Sequence, residues 1–201
     1  MERGYTEEVL DHGFVRLVDY YGSDKDIVDA ARLSISGEGV QRVTEDMVLL
    51  RYLMRHRHTT PFEMADIKIH MKVPIFSARQ IFRHRTFSYN ELSGRYSELP
   101  EECYVPKSDD VAFQSKKNKQ GREGKPSLGL VGKFLWVLRS VQEKLFEDYH
   151  IFLGKMNEEV TWLSPMEMDE LSEHGGFARE IARINLPLAT YTEFYMKGNL
   201  H

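Results

Sequence analysis

The 201-residue sequence contains a single cysteine, Cys103, so neither an intrachain disulfide nor a zinc cage built on four thiolates can form. No apolar run approaches the roughly 20 residues needed to span a bilayer. The start, Met1-Glu2-Arg3-Gly4-Tyr5-Thr6-Glu7-Glu8, lacks the apolar stretch of a signal peptide. Base is not in excess: 27 Lys and Arg stand against 31 Asp and Glu, a formal net charge of −4, which argues against a large nucleic-acid footprint. A Gly-x-Ser-x-Gly elbow is missing, which weakens a serine hydrolase reading. These absences predict a cytosolic protein without a membrane or nucleic-acid partner. What remains, 41% apolar and 29% charged residues, is the composition of an ordinary globular chain, long enough to bury a core.

Local patterns predict one α+β domain over residues 1–201, with helices and strands in mixed order rather than in regular βαβ units and a mainly antiparallel sheet. Residues 14–20 are β-branched and aromatic enough for a strand. Ser23-Asp24 precedes a helical pattern with Ile27, Val28, Ala31 and Leu33. A second helix is predicted from Thr44, with Met47, Leu50, Leu53 and Met54 at helical spacing. Ile67, Ile69, Met71 and Val73 alternate with polar residues as a strand does, and Pro74 ends it and can open a helix bearing Ile75, Phe76, Ile81 and Phe82. Residues 106–127 read as a long polar loop. Ser127 can cap a helix running to about Met156, with Leu130, Phe134, Val137, Leu138, Val141, Leu145 and Phe146 on its buried side. A helix over residues 177–184 is expected to lead into a strand from Pro187.

The chemistry concentrates in residues 79–95, where Arg79, Arg83, Arg85 and Arg95 face one acid, Glu91. On a helix Gln80 and Arg79 would each share a face with Arg83. Ser93-Gly94-Arg95 offers a hydroxyl, a backbone open to close approach and a bidentate fork, a combination suited to phosphate. A solvated basic face making salt bridges explains the same spacing. His56-x-His58 could suggest a metal pair, but Arg55 and Arg57 repel a divalent cation at close range, so no metal is assigned. There the spacing leaves open a helix end, a second anion site or a histidine stacked on a planar ligand. Cys103, between Glu102 and Tyr104 and near Glu101, has no base beside it, and acidic neighbours disfavour a thiolate.

Arg83-His84-Arg85, followed after seven residues by Ser93, closely resembles the signature of the flavin-dependent thymidylate synthases. Residues 58–63, 90–97, 114–121 and 182–188 fit the same family. The resemblance implies a homotetramer of α+β subunits that methylates dUMP to dTMP. The carbon would come from 5,10-methylenetetrahydrofolate and the reducing hydride from NADPH by way of FAD. It implies that Gln80, Arg83, Glu91, Leu92, Ser93, Gly94, Arg95 and Arg183 hold dUMP. Ser34, Thr60, Arg83, His84, Arg85, Thr86, Glu91, Asn199 and His201 would contact FAD, with different subunits supplying the pieces. His58, Arg83, Ser93 and Arg95 are the implied catalytic groups, His58 beside the flavin where folate stacks and Ser93 binding and orienting rather than attacking. No cysteine nucleophile is implied, in keeping with the surroundings of Cys103.

The family continues past the position matching His201 into a helical segment with further flavin contacts and an arginine that polarises uracil. The expectation is therefore of an incomplete chain, which alone would bind flavin weakly. A rival reading is a nucleotide- or RNA-binding protein whose Phe82, Phe87, Tyr89 and Tyr96 stack on bases.

Overall fold

The computed structural model describes residues 2–35, 45–155 and 160–201. A short polar strand β1 (Thr6–Val9) turns into β2 (Gly13–Tyr21), and α1 (Asp24–Ile35) and α2 (Asp46–Arg55) follow. A 3₁₀ turn over Thr60–Met64 leads to β3 (Asp66–Pro74), α3 (Ile75–Ile81) and β4 (Ser88–Glu91). The small strands β5 (Phe113–Gln114) and β6 (Arg122–Glu123) precede the long α4 (Leu128–Phe152). Then come α5 (Pro165–Glu173), α6 (Arg179–Ala182) and β7 (Tyr191–Asn199).

The main sheet is antiparallel throughout, in the order β1-β2-β3-β7-β4, so the last strand lies inside it between β3 and β4. Mixed helices on an antiparallel sheet are the predicted fold class. Three buried clusters hold the elements together. Ile27, Val28 and Ala31 of α1 meet Leu50 and Leu53 of α2 and Ala65, and Arg32 pairs with Asp46 at 2.8 Å across the same two helices. Val73, Ala78 and Phe194 fix α3 on the sheet, joined by Ile81, Phe82, Tyr89 and Met196. Phe146, Tyr149 and Leu153 pack on Ala182. Among the described residues no helix is long and apolar enough to cross a membrane.

Several expectations change. Leu33, Met47 and Met54 are exposed, and the Thr44 helix start lies outside the described residues. The 106–127 loop is not structureless: it contains the β5–β6 hairpin. Ser127 does cap α4, its hydroxyl accepting from Leu130 N at 3.4 Å. The helix ends at Phe152, however, and Met156 lies outside the described residues. Its buried side is Val131, Leu135, Gln142, Phe146 and Tyr149, whereas Leu130, Phe134, Val137 and Val141 are 46–52% exposed. Phe146 is buried as predicted and Leu138 and Leu145 are half-buried, but over the first half of the helix the predicted stripe lies about one residue away from the covered one, roughly 100° around the helix. Both stripes are apolar, and spacing alone cannot say which one this chain covers. Residues 177–184 form only one helical turn and the start of a 3₁₀ turn over Arg183–Asn185, and Phe177 N bonds to Phe152 O at 2.6 Å ahead of that turn.

Candidate functional site

The arginine-rich segment begins on α3, which Ala78 anchors to Val73 and Phe194. The helix stops at Ile81, so Arg83 lies in a turn beyond it and does not share a helical face with Arg79 and Gln80 as its spacing suggested. The turn is fixed by Arg83 N to Gln80 O at 3.2 Å and His84 N to Ile81 O at 3.0 Å. The Tyr89 hydroxyl donates to the carbonyls of Ile81 and His84, each at 2.9 Å, a shared bond that ties both sides of the turn. Burial raises the Tyr89 phenol above its ordinary pKa, so it remains a donor. Arg83, His84, Arg85 and Thr86 are left exposed around this fixed backbone. Among the described residues Arg79, Arg83 and Arg85 make no ion pair, so the salt-bridged face allowed by spacing does not form there.

Phe87, next in the chain, lies against Gly198 of β7. A Cβ on Gly198 would sit 2.3 Å from the Phe87 ring. That close approach is why glycine stands within a strand. It also sets the arginine turn beside the end of β7, which carries Asn199.

The second group follows β4. Glu91 pairs across the sheet with Phe194, and its Oε1 accepts from the Thr192 hydroxyl at 2.8 Å. Leu92 N continues the pairing to Glu193 O at 2.8 Å. In the turn beyond, Ser93 Oγ accepts from Arg95 N at 3.3 Å, and Ser93 O accepts from Tyr96 N and Ser97 N. Gly94 is buried, and a Cβ there would lie 2.5 Å from Arg183 Nη1. Arg95 Nε pairs with Glu180 Oε2 at 2.9 Å. The structure thus brings Glu91, Leu92, Ser93, Gly94, Arg95 and Arg183 into one neighbourhood, while Gln80 stands exposed on the last turn of α3.

The other expected flavin contacts are spread out. Thr60 opens the 3₁₀ turn, whose Glu63 Oε1 lies 3.7 Å from His201 Nδ1. Leu200 N donates to Ala65 O at 3.1 Å, and Asn199 Oδ1 accepts from His201 N at 3.1 Å. Thr60, Asn199 and His201 therefore share one end of the sheet. Ser34 is exposed on α1, its hydroxyl turned back to Ala30 O at 3.2 Å. His58 follows the end of α2 and is exposed, with Tyr52 and His56 5.8 and 6.4 Å from its ring. Its neighbour Arg57 adopts φ +55°, a left-handed conformation costing about 1–2 kcal/mol in a side-chain-bearing residue. Such local strain is often kept at functional positions.

Sequence reasoning missed Thr192 and Glu180, and singled out Phe87 and Tyr89 only as stacking candidates of the rival reading. Only Thr192 left a signal, as a polar residue on the core-facing side of a strand. The stacking platform of the rival reading is not offered by three of its four aromatics. Phe82 and Tyr89 pack on Phe194, their ring centroids 4.8 and 6.1 Å away, and only Tyr96 of the four is open to solvent. Cys103 is half-buried, its Sγ 3.7 Å from Thr190 Oγ1. Burial raises its thiol pKa and Asp11 adds to the shift, while Glu102 is engaged with Lys72. The thiol is held protonated, by burial rather than by the adjacent glutamates.

Comparison with known proteins places these residues in context. The model of the family described as "Thymidylate synthase complementing protein" matches residues 16–201. The flavin-dependent thymidylate synthase of a Thermus thermophilus strain is 50% identical over 201 residues, which are 100% of this chain and 65% of that protein. The flavin-dependent thymidylate synthase of Gluconobacter oxydans is 48% identical over 194 residues, 96% of this chain and 58% of that protein. Among solved structures, the UMP/dUMP methylase PolB of Streptomyces cacaoi, bound with 5-Br UMP, is similar with a TM-score of 0.73 at 33% identity. The match covers 96% of this chain and 74% of that one. The chain spans 58–65% of the length of these two curated relatives.

Proposed function

The chain belongs to the thymidylate synthase complementing protein family, and on that premise we propose that the whole protein is a flavin-dependent thymidylate synthase. It methylates dUMP to dTMP with 5,10-methylenetetrahydrofolate as carbon donor and NADPH as reductant. The observation that carries this reading is the cradle at Gly94. A buried glycine leaves room for the Arg183 guanidinium, beside Ser93 and Arg95 in the turn after β4. Guanidinium forks bind phosphate oxygens bidentately, so Arg95, Arg183 and Ser93 take the nucleotide phosphate, and Gln80, Arg83, Glu91 and Leu92 complete its surroundings.

Arg83 and Arg85, which make no ion pair among the described residues, suit the phosphates of FAD together with His84 and Thr86, and Ser34, Thr60, Glu91, Asn199 and His201 supply its remaining contacts. Held there, the flavin would supply the hydride chemistry of the reaction. This chain's residues do the rest. His58, in an exposed aromatic cluster with Tyr52 and His56, stacks on the planar folate. Arg83 and Arg95 act by holding the nucleotide in place for the reaction, and the arginine that polarises uracil belongs to the family's segment past the position matching His201. The protonated Cys103 plays no part as a nucleophile.

A homotetramer accounts for the site pieces standing apart on one chain. The exposed apolar stripe of α4, including Phe134 and Val141, offers a face for a second copy, since contiguous apolar patches mark association surfaces. Cytosolic location accords with a reductive reaction on a free nucleotide.

The test is tritium release from 5-tritiated dUMP by the purified full-length protein, supplied with methylenetetrahydrofolate and NADPH. Flavin absorbance should accompany the protein, and Cys103→Ser should retain turnover. A flavin-loaded protein that releases no tritium would overturn the assignment.

A further inference from the structure

Strand β7 places a hydroxyl where its alternation calls for an apolar side chain. Thr192 shares a face with Phe194 and Met196 and is 2% exposed. A buried hydroxyl is costly unless it is bonded, and this one donates to Glu91 Oε1 at 2.8 Å. Glu91 is otherwise exposed, at the end of β4 and immediately before the Leu92-Ser93-Gly94-Arg95 turn. A carboxylate in such a place would sample several rotamers. The bond from a donor locked in the sheet removes that freedom and occupies one oxygen. Among the described residues Oε2 takes no hydrogen bond.

We propose that Thr192 is a positioning residue for the nucleotide: its hydroxyl holds Glu91 so that Oε2 is presented to bound deoxyuridylate. An ionised carboxylate can only accept, so its partner on the ligand is a donor, which the uracil N3–H and the sugar hydroxyl both supply. The inference rests on the placement of Glu91 in the dUMP site proposed above. Thr192 itself touches no ligand, and its effect passes entirely through Glu91.

The test is calorimetric titration of dUMP into the full-length, flavin-loaded protein and four variants. Thr192→Val keeps the branched shape of the side chain and removes the donor, and it is expected to weaken dUMP binding about tenfold. Thr192→Ser restores the hydroxyl and should bind within about twofold of the parent. Glu91→Ala should bind weakly, and Thr192→Val/Glu91→Ala no more weakly than Glu91→Ala alone, because nothing is left for the hydroxyl to orient. Parental affinity in Thr192→Val beside a weak Glu91→Ala overturns the role of Thr192 and leaves the site intact. Parental affinity in Glu91→Ala overturns both the placement of Glu91 and the inference. Additive losses in the double variant, or a Thr192→Ser as weak as Thr192→Val, also overturn it, since Thr192 would then act by shape or through another partner.

Discussion

Gly94→Ala separates the geometry of the cradle from the stability of the fold. A methyl at position 94 would lie 2.5 Å from Arg183 Nη1, 3.3 Å from Arg183 Cδ and 3.2 Å from Leu99 Cγ. The first distance is below any real contact, so the guanidinium must leave. The other two are tight and need shifts of a few tenths of an ångström. Overpacking a core costs about 1–3 kcal/mol, and the low end applies because the worst clash is with the tip of a flexible side chain. A loss near 1 kcal/mol lowers the melting midpoint by about 2–4 °C for a chain of this size. The ligand suffers more. A charge-assisted hydrogen bond from a displaced guanidinium is worth about 1.5–3 kcal/mol, or about 10–150-fold in affinity. Calorimetric titration of dUMP and thermal unfolding of the same samples measure the two effects. Arg183→Ala supplies the control, because without the guanidinium the added methyl has room, and the double variant should bind like Arg183→Ala. Gly94→Ala with parental affinity, or a double variant much weaker than Arg183→Ala, would refute the reasoning.

Gly198→Ala should be costlier to the fold. Its Cβ would meet Phe87 ring carbons at 2.3 and 2.6 Å, and a packed ring cannot swing aside as an arginine tip can. A loss of about 2–3 kcal/mol is expected in urea unfolding, partly recovered by adding Phe87→Ala, and no recovery would show that the ring is not the obstacle. Alkaline pH tests the other end of β7. Burial first, and then its bond to Asp11, raise the Tyr191 phenol well above its ordinary 10.0. The folded pKa exceeds the unfolded one, so this contribution to stability is whole below about pH 10. It is lost as pH rises beyond that, because the unfolded chain ionises first. Urea midpoints on either side of that value should fall more steeply in the parent than in Tyr191→Phe, and equal slopes would remove Tyr191 as the cause.

How much of this could be read from the sequence depended on whether a feature is local. The alternation of Ile67, Ile69, Met71 and Val73 is a local signal, and β3 stands where it was expected. The Arg83-His84-Arg85 and Ser93 pattern is likewise contained in one segment, and the family it pointed to is the one the chain belongs to. The side of α4 that is buried was not legible, because two apolar stripes compete and the choice rests on residues far away, such as Ala182. The family resemblance set Arg183 beside Gly94 in one site, but spacing alone could not, because Arg183 comes from a 3₁₀ turn nearly ninety residues later, where a longer helix was expected.

The placement of the site follows from one face of one strand. In β7 the residues 192, 194, 196 and 198 fall on the same side, since side chains alternate with a period of two. Thr192 holds Glu91. Phe194 packs on Phe82 and Tyr89, which close the arginine turn. Met196 lies opposite Tyr89 in the register of β4. Gly198 receives Phe87. These supports of the Arg83–Arg85 turn and of Glu91 are therefore fixed by a strand that is itself paired on both sides, by β3 and β4. A slip of one residue in that pairing would turn all four supports to the opposite face at once. Arginines in an open turn lose their orientation cheaply, so such a ligand site needs a rigid base, and an interior strand is the least yielding element this fold has.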